Sequence, residues 1–281
     1  MRQRFASAGL TIAALAAALF LLQAPADSQA PAGKAAPGDA KAGKGGAKGK
    51  GKARPTGPTP RMADGKPDFS GIWNGGGPIG DVKQGLMPGE EISLTAWSKK
   101  IMDSRQSKDD PEANCLPTGV PRIAPYPWRV VQTSTHIFYL FEGNIHSFRQ
   151  IFIDGRKHIA DPDPTWYGDS IGSWDGDTLV VDTIGYNDKF WFGANGLPHT
   201  AQLHTIERFR RPDMNTLSWD ITIDDPGAYA KPFTVQTRAH LEPTWELMEY
   251  ICQENETSAS QKHIRGLANS PTSNGGTFAP N

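Results

Sequence analysis

Between Asp27 and Lys66 the sequence contains no Phe, Trp, Tyr, Ile, Leu or Val. Chain of that composition cannot bury enough apolar surface to offset its ordering entropy, so a packed domain is excluded there and a flexible tether is expected over 27–66. Cysteine is almost as scarce, with only Cys115 and Cys252 present, too few ligands for a structural zinc site. Also missing are a Gly-x-Ser-x-Gly nucleophile elbow, a phosphate loop, a dinucleotide glycine fingerprint and a His-Glu-x-x-His helix. Their absence removes several common hydrolase, nucleotide-binding and metalloprotease classes. No cofactor is implied by any motif.

What is present begins with an address. Arg2 and Arg4 precede an apolar run from Ala8 to Leu22, followed by Ala24-Pro25-Ala26, which reads as a cleavable signal peptide over 1–26. The run is short for a membrane span and polar chain follows it. The expected destination is periplasmic or secreted. In an oxidising compartment Cys115 and Cys252 are expected to pair as a disulfide, with two free buried thiols as the alternative.

Charge is unevenly spread. The 27–66 segment holds 9 Lys or Arg against 3 Asp and the signal adds two arginines, so a formal chain total of −1 leaves −9 on residues 67–281. A basic arm on an acidic domain is compatible with loose attraction to an anionic envelope surface, or with a plain soluble spacer. An acidic domain without a basic face argues against a nucleic-acid partner. The polar, glycine-rich stretch 269–281 is expected to be a flexible tail, which leaves 67–268 as one domain. Oligomeric state is left open by these features.

Within that domain one segment has helical character: Thr95 is placed to cap a run in which Trp97, Ile101 and Met102 share a side. After Pro127 the pattern has period two. Leu217, Trp219, Ile221 and Ile223 alternate with polar residues, as do Phe233, Val235, Thr237, Ala239 and Leu241. Turn pairs such as Asp154-Gly155, Asp175-Gly176 and Asn195-Gly196 separate the runs. About eight such strands predict an all-β domain, a single antiparallel up-and-down barrel of lipocalin type with one short helix. A β-sandwich is the alternative. Gly71-Ile72-Trp73 adds a strand or plugs one end.

Residues able to carry chemistry are scattered. His199 and His204, five residues apart, would face opposite ways on a strand and do not suggest a metal pair. The acidic stretch 158–177 invites a calcium reading but is rich in ordinary turn formers, and its Trp166 and Tyr167 can offer a flat wall to a ring-shaped ligand. Asp182 ends the apolar run Leu179-Val180-Val181 and shares parity with Val180 and Ile184. Buried, it would need a cation such as Arg149, Arg208, Arg238 or His240; a structural ion pair weighs more here than catalysis. Glu207 shares parity with Thr205 and Phe209 and so is expected to face inward. Asp182, His199, Glu207 and His240 are therefore the candidate proton carriers, and Trp166, Tyr167, Arg149, Arg208 and Arg238 the candidate ligand contacts.

The segments Pro67-Asp68-Phe69-Ser70-Gly71-Ile72-Trp73, Asn114-Cys115-Leu116-Pro117, Arg149 to Arg156, Gly176 to Thr183, Glu207 to Arg211 and Glu249-Tyr250-Ile251-Cys252 together resemble a widespread group of exported bacterial proteins of unassigned function. The resemblance implies one exported β-rich domain containing both cysteines and carries no catalytic assignment. The expectation is a small-molecule-binding barrel with a partly apolar or aromatic ligand in its lumen. The alternatives are a cofactor-independent lyase, isomerase or hydrolase using Asp and His in the same cavity, and a structural envelope module.

Overall fold

The computed structural model describes residues 56–77, 81–122, 126–143 and 147–252. The expected signal peptide, most of the expected tether and the expected tail lie outside them. Residues 56–66, assigned to the tether by composition, are packed on the domain: the Met214 amide donates to Gly57, the Thr59 hydroxyl to Arg211, and Arg61 pairs with Asp177 at 2.6 Å. The domain thus starts earlier than residue 67. A segment poor in large apolar side chains can still be held where backbone and guanidinium groups find partners.

Nine strands close into one barrel in chain order: β1 (Gly71–Gly75), β2 (Trp128–Gln132), β3 (His136–Phe141), β4 (Phe148–Phe152), β5 (Asp169–Asp175), β6 (Thr178–Ile184), β7 (His204–Arg210), β8 (Thr216–Asp224) and β9 (Phe233–Leu241). β1 pairs with both β2 and β9, so Gly71-Ile72-Trp73 belongs to the wall and the sandwich alternative falls. The expected purely antiparallel order needs one correction. A ring with an odd number of strands cannot alternate direction all the way round. One neighbouring pair must be parallel, and it is β4–β5, held by only two residue pairs, Ile151–Ser170 and Phe152–Ile171. Parallel neighbours need a crossover, here residues 153–168.

Alternation fixes what points inward. On β6, β7 and β8 every second residue is buried, including Leu179, Val181, Phe209, Leu217, Trp219 and Ile221. The interior is filled by rings: Trp128 lies 5.1 Å from Tyr139 and 5.7 Å from Trp219, and Phe209 lies 5.4 Å from Trp219, centroid to centroid. Such pairs add to the area-based stabilisation of burial.

The single α-helix, α1 (Ala96–Ser104), starts at Thr95, whose hydroxyl accepts the Ser98 amide. Its contact face keeps Met102, which packs against the core, but not Trp97. Ser98 is buried and its hydroxyl donates to the Ala228 carbonyl, whereas Trp97 is 43% exposed. Cys115 and Cys252 form a disulfide that ties the 110–122 segment to the end of the described chain. No helix among the described residues is long and apolar enough to cross a membrane.

Candidate functional site: a cleft at the parallel seam

Because β4 and β5 share so short a ladder, they part towards the start of each, and a cleft of about 470 Å³ opens there. Its sides are Phe148 and Phe152 of β4, Pro117, and Trp166 and Tyr167 from the end of the crossover, with Arg149 and Ser170 at its floor. Phe148 is 59% exposed and borders the cleft with Trp166 and Phe152. The Tyr167 hydroxyl reaches Ser147 at 2.8 Å, and burial pushes its pKa up to about 12, so it stays a neutral donor and acceptor. Gly168 makes the turn into β5 with φ +67°, and an added Cβ there would lie 2.5 Å from the Ile184 carbonyl.

Beneath the cleft Arg149 is buried and bridges the barrel interior. Its guanidinium donates to both oxygens of Glu207, at 3.0 and 2.5 Å, and to the hydroxyls of Ser170 and Thr183. Burial alone would lower the Arg149 pKa, but the Glu207 charge outweighs it and the net shift is upward. With its carboxylate partner fixed, this arginine stiffens the cleft floor more than it offers a free charge to a ligand.

Three of the five expected ligand contacts, Trp166, Tyr167 and Arg149, therefore meet in one cleft. Arg208 and Arg238 do not: both point outward, and Arg238 borders a separate polar hollow with Gly76, Gly77 and Gln84.

The four expected proton carriers occupy four different places. Glu207 is inside the barrel, as its parity predicts. Asp182 is on the outer face with its side chain 45% exposed, because the buried register of β6 belongs to Leu179, Val181 and Thr183. It accepts from two imidazoles, His204 Nε2 at 2.8 Å and His158 Nε2 at 3.2 Å. His240 also faces outward and meets the Asn215 amide at 3.5 Å. His199 is buried beside Phe190 and Phe192, with ring centroids 3.9 and 5.1 Å away, and Nδ1 donates to the Thr200 carbonyl. Burial pulls its pKa down to about 4, and its Nε2 has no partner. The shared cavity expected for Asp182, His199, Glu207 and His240 is thus corrected: strand parity separates Asp182 from Glu207, and His199 lies in the connection before β7.

Sequence reasoning missed Ser147, Phe148, Phe152, Pro117, His158 and the role of the 153–168 crossover. Its signal was present as the longest turn-rich stretch between two strand patterns, longer than a hairpin needs. Among the described residues no three His, Cys, Asp or Glu side chains are arranged to hold a metal ion, and the His158, Asp182 and His204 contacts are hydrogen bonds.

The fold and cleft define a closed, ring-filled β-barrel with a ligand-sized opening in its wall. Compared with protein-family models, curated proteins and solved structures, the chain matches none of them.

Proposed function

We propose that this chain is a small-molecule-binding barrel acting outside the cytoplasm, and that its ligand, a flat apolar or aromatic molecule, sits in the seam cleft instead of the lumen. The supporting observation is the cleft itself: ring-lined sides over a hydroxyl and guanidinium floor, at the junction where the wall has its shortest ladder. Aromatic side walls favour stacking of a ring, and Tyr167, Ser147 and Ser170 supply hydroxyls for a polar edge. The disulfide supports an oxidising location, periplasmic or secreted, and fits the export reading of the first 26 residues. The test is titration with 8-anilinonaphthalene-1-sulfonate followed by fluorescence. Trp166→Ala and Phe148→Ala should each weaken binding about tenfold or more, the loss expected for one good aromatic contact, and Arg238→Ala should leave it unchanged. Equal binding by wild type and both cleft variants would remove the cleft from consideration.

A further inference from the structure

The crossover that carries Trp166 and Tyr167 is held near its end by Thr165, whose amide and carbonyl bond to Gly185 and Asn187, and at its neck by His158. Its Nδ1 lies 2.8 Å from Asp169 Oδ2, an oxygen that also accepts the Ile159 amide at 3.1 Å. Its Nε2 lies 3.2 Å from Asp182 Oδ1 on β6. The two ends of loop 159–168 therefore meet at Asp169, through the His158 ring and the Ile159 amide, and the same imidazole anchors that neck to a second strand.

Ionised carboxylates only accept hydrogen bonds, and a neutral imidazole has one N–H. His158 can donate to Asp169 and Asp182 together only when both of its nitrogens carry protons. The neighbouring His204 has no such requirement, since one N–H on Nε2 satisfies its contact with Asp182. Two other charged groups stand near this cluster, and Arg156 also acts through its charge on Asp169. Arg156 is turned to Asp154 and stacks on Phe152, and Asp224 stands opposite His204 in the β7–β8 register.

We propose that His158 is a proton-operated clasp on the cleft: protonated, it ties the loop neck to β5 and β6 and holds the Trp166–Tyr167 wall against β4; deprotonated, it releases one carboxylate and the wall loosens. Ligand affinity then falls as pH rises. This consequence rests on the seam cleft being the ligand site, whereas the clasp itself does not.

The test uses the full chain, measuring amide protection factors over residues 159–168 by hydrogen exchange from about pH 5.5 to about pH 8.5, a range that spans ordinary imidazole titration. Sulfonate-probe titrations run in parallel. Wild type should lose about tenfold in protection and in probe affinity across the range, the size of one charge-assisted hydrogen bond. His158→Gln should be low and flat, and His204→Gln should keep the slope. Flat protection in wild type, or an unchanged slope in His158→Gln, overturns the clasp. If Trp166→Ala leaves probe binding intact, the cleft reading fails while the protection data still judge the clasp. If Trp166→Ala abolishes binding and protection is flat, the clasp alone fails.

Discussion

Arg149 on β4 and Glu207 on β7 meet inside the barrel as a doubly hydrogen-bonded ion pair with neither side chain exposed to solvent. An ion pair at this depth is costly to assemble and more costly to halve, because removing one partner strands the other charge in a poor dielectric. Glu207→Gln should destabilise the domain by about 3–5 kcal/mol, whereas the double change Arg149→Met, Glu207→Leu should cost much less than the single one. Urea denaturation of the three proteins checks this. A double variant no more stable than Glu207→Gln would mean that Ser170 and Thr183, and not the charges, set the cost.

His199 gives the domain an acid-side weakness. Its folded pKa is depressed to about 4 by burial, so between roughly 6.5 and 4 the unfolded chain takes up a proton that the folded chain refuses. Stability contributed by the neutral imidazole is present above the unfolded value and is lost as pH falls towards the folded one. The loss should reach about 3 kcal/mol by pH 4. His199→Gln should lower stability at neutral pH but flatten its pH dependence across that window, as read from denaturation midpoints at matched pH.

The Cys115–Cys252 bridge closes a sequence separation of 137 residues. Chain-entropy reasoning for a loop of that size gives roughly 5 kcal/mol, as an upper figure for Cys252→Ser with Cys115→Ser. Because Pro117 lines the cleft only two residues beyond Cys115, the double variant should also weaken probe binding under conditions where it is still folded. Thermal melting and titration with and without reductant separate the two effects.

At Gly168 a side chain meets both a positive φ and the Ile184 carbonyl. Gly168→Ala should cost about 1–3 kcal/mol through strain and contact, and it should damage the cleft more than Gly155→Ala, where no heavy atom lies within 4 Å of an added Cβ. Both glycines have positive φ, so the pair isolates the crowding at Gly168 from the backbone effect. Comparable losses of stability and probe affinity in both variants would show that the backbone effect dominates.

Much of this molecule is legible from its residues alone. Period-two patterns in Leu217 to Ile223 and Phe233 to Leu241 match the buried face of β8 and β9 residue by residue. Parity alone turns Glu207 inward. Thr95 caps the one α-helix, and the two cysteines pair. Parity also sets Asp182 with Val180 and Ile184, but the face they share is the outer one: in the alternating register Thr178 to Ile184, Leu179 and Val181 claim the interior. The apolar character of Val180 disguised that register.

Sequence by itself determined the barrel's inward and outward sets and the positions of its turns, because alternation and turn chemistry act over a few neighbouring residues. Only the tertiary structure decided where those strands fail to match. Closing nine of them forces one parallel junction, and that odd count is met by the long 153–168 crossover and the two-pair β4–β5 ladder. The cleft, the Arg149–Glu207 pair below it and the His158 contacts beside it all join residues distant in the chain. Their meeting depends on barrel closure, a global condition that no local pattern encodes.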